Sequence, residues 1–139
     1  MLHIDNRSGD LLDEPALHRL CELVLRLEKA TADSEVNLVL CTSDLMRDYN
    51  RRFRGPDRAT DVLSFPSDIG VGGELGDILI DTQTAARQKG DNGLDDEVQM
   101  LLLHGLLHLL GHNHQGQRQR MAMQDRQQRY MRQFQRGET

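Results

Sequence analysis

Between Met100 and Leu110 the chain reads MLLLHGLLHLL, eleven residues in which His104 and His108 are the only polar side chains. A helix through this run is apolar on nearly every face, so it must lie in the core with other elements packed around it. It is too short to cross a bilayer, which takes about 20 apolar residues. Two imidazoles carried into a core must find partners there. Four residues apart on a helix, His104 and His108 leave the same face about one turn from each other, so a nitrogen of each can reach one ion. Gly111 follows three residues after His108 and suits the left-handed turn that stops a helix. The chain can then bring His114 back toward the first two. Three neutral imidazoles with a fourth position left to water form the layout of a catalytic zinc site. A single histidine on an apolar helix is more often a core residue bonded to a carbonyl, but two on one face with no acid between them are hard to satisfy that way. A closed structural zinc site usually takes four ligands with thiolates among them, and neither Cys21 nor Cys41 lies near this segment.

The rest of the 139 residues reads as one α+β domain, 1–139, with about four strands in a mixed sheet and helices packed against them. Leu2 to Asp5 is a short strand. From Pro15 the positions Leu17, Leu20, Cys21, Val24 and Leu27 recur at helical spacing, which predicts a helix ending near Thr31. Val36, Leu38 and Leu40 alternate with Asn37, Val39 and Cys41 as a strand. Thr42 or Ser43 caps a helix through Phe53 whose inner stripe is Leu45, Met46, Tyr49 and Phe53. Gly55-Pro56-Asp57 breaks that helix. Asp61 to Pro66 is a strand at an edge or end of the sheet, because Pro66 lacks the N–H of a central strand. A turn at Gly70 to Gly73 leads to the strand Leu75 to Asp81, then a helix over Thr82 to Lys89. The helix of the two histidines runs from Asp95 to Leu110, with acids in its first turn. A last helix, 116–135, is rich in arginine and glutamine; Met121, Met123 and Met131 belong to its packing.

The net charge of −5 is unevenly spread. Residues 1–46 carry −5 and 59–114 carry −7, whereas 47–58 holds five arginines and +3, and 115–139 holds six arginines and +4. Two basic blocks on an acidic background are compatible with solvated helix faces and equally with a nucleic-acid partner. Only five residues are aromatic (Tyr49, Phe53, Phe65, Tyr130 and Phe134), so base stacking does not dominate any such contact. Two cysteines are too few for a disulfide framework, and MLHIDNRSGD lacks the basic-then-apolar order of a secretory signal; both point to the cytoplasm.

The spacing of His104, His108, Gly111 and His114 matches the metzincin pattern H-E-x-x-H-x-x-G-x-x-H, but Gly105 stands where the general-base glutamate would be. The fuller string HGLLHLLGHNH resembles the YbeY family of bacterial metal-dependent endoribonucleases. Two further segments agree. Asn50-Arg51-Arg52-Phe53-Arg54 followed by Thr60-Asp61-Val62-Leu63-Ser64-Phe65-Pro66 is similar to the family's arginine-bearing segment before T-[DN]-V-L-S-F-P, and Leu75-Gly76-Asp77-Ile78 to its G-D-I strand. Together these cover residues 50–114. The resemblance implies a zincin-like fold and one zinc ion held by His104, His108 and His114. It also implies cleavage of single-stranded RNA in ribosomal RNA maturation, at the 3′ end of the small-subunit species, and in ribosome quality control. Arg54 matches the family's functional arginine. Ribosomal and GTPase partners follow from the same resemblance; DNA and membranes do not. The chain departs from the family at Asn113, where aspartate is usual, and at His112, where tyrosine is usual.

On this reading Arg54 is the catalytic clamp on developing phosphate charge, and Arg51, Arg52 and Arg58 hold flanking phosphates. Attack by activated water and attack by the RNA 2′-OH both stay open, and so does the native metal. Asn113 and His112 are candidates for the shell around the ligands, although a turn histidine is usually only solvated. Ser64 and Asp77 are candidate cleft residues; His3 and His18 read as surface positions. Two other functions compete. One is a metallopeptidase, with DVLSFP as an edge strand that pairs a peptide. The other is a non-catalytic ribosome-assembly factor braced by its metal.

Overall fold

The computed structural model describes residues 1–53, 60–67, 74–112 and 115–137. In chain order the elements are β1 (Leu2–Asn6), α1 (Glu14–Leu27), β2 (Glu35–Cys41), α2 (Ser43–Phe53), β3 (Val62–Pro66), β4 (Glu74–Asp81), α3 (Thr82–Gln88), α4 (Leu94–Leu109) and α5 (Gln117–Gln135). The sheet has the order β1-β2-β4-β3, with β1, β2 and β4 parallel and β3 antiparallel to β4. This is the expected mixed, four-stranded α+β arrangement, and β3 with its Pro66 is the expected edge strand. Gly55-Pro56-Asp57 and the Gly70 to Gly73 turn lie outside the described residues.

Side-chain alternation divides the sheet into two faces. The register aligns Ile4, Leu38, Ile78 and Ser64 in one row across it, and Leu40, Ile80 and Val62 in the next. On this face pack α1, α4 and α5, whose Leu17, Leu20, Val24, Leu102, Leu106, Met123 and Met131 join Leu38, Ile78 and Ile80 in the main core. The opposite face is covered by α2 through a smaller cluster of Cys41, Met46, Leu63 and Leu79. The nearly all-apolar α4 is thus enclosed by the sheet, α1, α3 and α5. Its placement needs Gly105: a Cβ there would lie 3.0 Å from both Cδ1 and Cγ2 of Ile78. Gly76 is more tightly constrained, with φ +142° and a Cβ position only 2.2 Å from the Phe65 carbonyl oxygen of β3.

Helix ends explain where the sequence reading and the structure differ. Helix α1 stops at Leu27 instead of near Thr31, because Lys29 takes a left-handed conformation, φ 58°. The Ala30 N–H donates to Leu25 O at 2.9 Å and Lys29 N–H to Arg26 O at 3.1 Å, a closing pattern usually built on glycine. The same pattern ends α4: Gly111 has φ +99°, its N–H donates to His108 O at 3.1 Å, and His112 N–H donates to Leu107 O at 2.9 Å. Two expected core residues face outward. Phe53, at 62% exposure, stacks on Tyr49 and meets Phe65 edge-on at the rim of α2, and Met121 is exposed on the first turns of α5. None of the described helices is long and apolar enough to cross a membrane.

Gly105→Ala is expected to lower the unfolding free energy by about 1–3 kcal/mol through overpacking against Ile78. Gly76→Ala is expected to cost more, since the obstacle there is a backbone oxygen that cannot rotate away. Urea unfolding of metal-free protein measures both.

Candidate metal centre

His104 and His108 leave α4 where it passes the edge strand β3. Their Nε2 atoms are 3.2 Å apart, with ring centroids 4.7 Å apart and planes inclined by 67°. The rings form one wall of a cleft of about 480 Å³, whose other wall is Thr60, Asp61, Val62, Leu63, Ser64 and Pro66. The position of Ser64 follows from register. It terminates the row Ile4, Leu38, Ile78, so the last side chain of an otherwise apolar row presents a hydroxyl to the histidine side of the sheet.

The donor pair fits zinc. Two imidazole nitrogens bound tetrahedrally at about 2.0–2.1 Å stand roughly 3.3 Å apart, close to the separation in this structure. Neutral imidazole is also the form zinc accepts. His114 and Asn113 lie outside the described residues, as do Arg54 and Arg58. Among the described residues no group of three or more His, Cys, Asp or Glu side chains is placed to hold an ion. The two thiols are remote from such chemistry. Burial pushes Cys21 up to about 11, and burial with the nearby Asp81 carboxylate pushes Cys41 up to about 12.

Behind His104 stands a residue that the sequence reading missed. The Gln127 Nε2 lies 2.7 Å from His104 Nδ1. When a histidine ligates through Nε2, its Nδ1 carries the proton and needs an acceptor. A glutamine amide offers Oε1 or Nε2 by turning over, so Gln127 can supply it. A signal was present in the sequence: Gln127 falls on the same face of α5 as the buried Met123, Tyr130 and Met131, one polar residue within an apolar stripe.

The turn after α4 is held by a second polar cluster. Glu28 ends α1 with a side chain only 8% exposed. Its Oε1 pairs with His112 Nε2 at 2.5 Å, while its Oε2 accepts from Arg126 Nη1 at 2.8 Å and from the Tyr130 hydroxyl. Burial alone would raise the Glu28 carboxyl, but hydrogen bonds from Tyr130, His112 and Arg126 outweigh it and hold the carboxyl below the usual glutamate value. Burial and the Glu28 carboxylate push the Tyr130 phenol up. His112 is therefore a structural partner of Glu28 rather than a solvated turn histidine.

The other candidates are dispersed. Arg51 and Arg52 lie on α2, each paired with Asp48 at 2.9 and 3.4 Å, and neither lines the histidine cleft. Asp77 also faces the α2 side, where its Oδ1 accepts from Asn37 Nδ2 at 3.0 Å. It belongs to a separate apolar groove with Val39, Tyr49, Phe53, Phe65 and Leu79. His3, expected to be a bare surface residue, lies 3.4 Å from Glu35 in an exposed pair.

Residues 3–135 match the family described as Endoribonuclease YbeY. The chain is 40% identical over 133 residues to the Endoribonuclease YbeY of Pelotomaculum thermopropionicum, covering 86% of this chain and 88% of that protein. It is 44% identical over 119 residues to that of Solibacter usitatus, covering 84% and 77%. A solution structure of a Thermotoga maritima protein superposes with a TM-score of 0.68 at 28% identity, over 96% of this chain and 89% of the other.

Two outcomes follow from the polar shell. Gln127→Leu should weaken zinc binding by about 10–100-fold in competition with a chromogenic chelator, with Gln127→Glu retaining it. Glu28→Gln should cost about 2–3 kcal/mol near neutrality in metal-free protein. Because the folded pKa of Glu28 is lowered, that wild-type advantage is complete above the ordinary glutamate value near 4.3. It shrinks as pH falls through the lower folded value. Urea unfolding from pH 7 down to pH 3 tests the direction.

Proposed function

This chain belongs to the endoribonuclease YbeY family, and from that premise we propose that it is a zinc-dependent hydrolase that cuts single-stranded RNA internally. Its substrate on this reading is ribosomal RNA, at the 3′ end of the small-subunit species during maturation and in ribosome quality control. It works in the cytoplasm, with residues 1–139 as one catalytic domain and with ribosomal and GTPase proteins as partners. The observation that carries the reading is the pair of facing imidazole nitrogens, 3.2 Å apart, on the wall of a cleft bounded by an edge strand.

His104, His108 and His114 are assigned as the ligands of one zinc ion. When bound there, the ion supplies a Lewis acid for the phosphodiester and an activated water near neutral pH, without a protein base. The residues of the chain do the rest. Gln127 fixes the ring of His104 through Nδ1, so that Nε2 keeps its lone pair toward the cleft. Val62 and Pro66 give the opposite wall an apolar lining that limits bulk water around the phosphate. The Ser64 hydroxyl is positioned for a hydrogen bond to substrate. Arg54 is the proposed clamp for charge that develops on the phosphate, with Arg51, Arg52 and Arg58 as phosphate contacts farther along the strand. Asn113 is assigned to the shell around the ligands.

The edge position of β3 would suit a peptide, and together with the metzincin-like histidine spacing it favours a metallopeptidase. Gly105 weighs against it. At the position that bears the base in such enzymes, a Cβ would already lie 3.0 Å from the Ile78 side chain.

Metal analysis of wild type beside His104→Ala, His108→Ala and His114→Ala, run with cleavage of matched single- and double-stranded RNA, tests the proposal. The expected result is one zinc per wild-type chain, loss of zinc in each variant, and cleavage of single strands only. The fall in activity should exceed the roughly 10–100-fold cost of losing an outer partner of a ligand. Full activity in the variants would overturn the assignment. A 2′,3′-cyclic phosphate at the product end would replace activated water by the RNA 2′-OH as nucleophile.

A further inference from the structure

Helix α5 has two faces with different tasks. Its inner face buries Met123, Tyr130 and Met131 and supplies Gln127 and Arg126 to the clusters described above. Its outer face carries Arg129, Arg132 and Arg136, spaced by three and four residues and therefore aligned over successive turns. With Gln133 they line a shallow concavity of about 360 Å³. We propose that this outer face is a docking surface for the phosphate backbone of single-stranded RNA, distinct from the cleft; the choice of RNA rests on the function proposed above.

Charge is the first reason. Residues 115–139 carry a net +4, whereas residues 1–114 carry −9, so the molecule is polarised with its positive end at α5. A polyanion is drawn to that end and repelled by the acidic stretches 1–46 and 59–114. The α2 arginines are weaker candidates, because Arg47, Arg51 and Arg52 each face an aspartate of their own helix, at 3.6, 2.9 and 3.4 Å. On α5, Asp125 is the only acid, and its contact with Arg129 at 3.2 Å is solvent-exposed on both sides and easily exchanged for a phosphate.

Side-chain chemistry is the second reason. Guanidinium groups grip phosphate oxygens in pairs. The face offers no ring for a base, since Tyr130 is buried and Phe134 packs against the core. Such a surface holds a backbone and reads no sequence. Position is the third. Gln127 touches a cleft histidine from the inner side of α5, and a helix with its side chains is about 10–12 Å across. A strand leaving the cleft therefore reaches the arginines by passing around one helix, and a dinucleotide seated in the cleft is too short to do so.

The test uses the zinc-loaded full chain and 2′-O-methylated single strands of 20 and 2 nucleotides, with binding followed by fluorescence anisotropy between 50 and 200 mM salt. Both substituted positions, in Arg129→Gln/Arg132→Gln, are exposed. For the 20-mer, affinity should fall about 10-fold at 50 mM salt. Loss of two phosphate contacts should flatten the slope of log K against log salt by about 1.4. Affinity for the 2-mer should be unchanged. An unchanged 20-mer, or an equal loss for both lengths, would overturn the surface while leaving the catalytic reading intact. A 20-mer that the wild type itself does not bind would overturn both. Preference for a duplex of equal length, or displacement of the 20-mer by poly-glutamate as effectively as by poly-U, would overturn the assignment to single-stranded RNA.

Discussion

The contact between Gly105 and Ile78 sets the geometry on which the rest of the molecule depends. Helix α4 is apolar almost all round, so it gains most by sinking between the sheet and the other helices, and the absent Cβ sets how deeply it sinks. Once α4 lies at that depth, Ile78 and Ile80 occupy the groove beneath it. His104, one residue before that contact, and His108, three residues after it, emerge beside β3 rather than in the middle of the sheet. The buried row across the strands ends there, and the edge strand supplies a second wall. The cleft is what remains between a helix that cannot move closer and a sheet that ends one strand away.

The same depth creates a polar requirement at each end of the histidine segment. His104 is half-buried with one nitrogen turned away from the cleft, and α5 answers with Gln127. The Gly111 turn places His112 against the end of α1, where Glu28 receives it together with Arg126 and Tyr130. Three helices distant in sequence are thereby tied to the turn that leads to His114. A carboxylate with so many donors is satisfied in spite of its burial, whereas loss of the carboxylate would leave three donors facing one another. Helix α5 thus braces the site with one face and leaves the other to its arginines.

Motif residues met as chemistry in the sequence also serve packing. Gly105 stands where a metzincin has glutamate, and the structure gives it a steric task against Ile78. Gly76 of the L-G-D-I segment is needed because the Phe65 carbonyl crosses its position, and Asp77 beside it faces the α2 side of the sheet. Ser64 of T-D-V-L-S-F-P does face the cleft, through register alone. The end of α1 was less legible, because a lysine at the left-handed position carries no glycine signal. Phe53 completes a helical stripe, but its helix packs through only a small cluster on the sheet and the ring is left at the rim.

Local physics was sufficient for everything with a strong period. The order and type of the elements, the edge position of β3, the left-handed Gly111 and the adjacency of two imidazoles follow from spacing, glycine and proline, which act within a few residues. Partners separated by dozens of positions had no such signature. Glu28 meets His112 across 84 residues and Gln127 meets His104 across 23, and each pairing exists because helices of given lengths pack at given depths. The separation of Asp77 from the histidines and of Ser64 from Asp77 is likewise a matter of sheet faces. Periodicity determines which way a side chain points along its own element; only the packing of elements determines what it meets there.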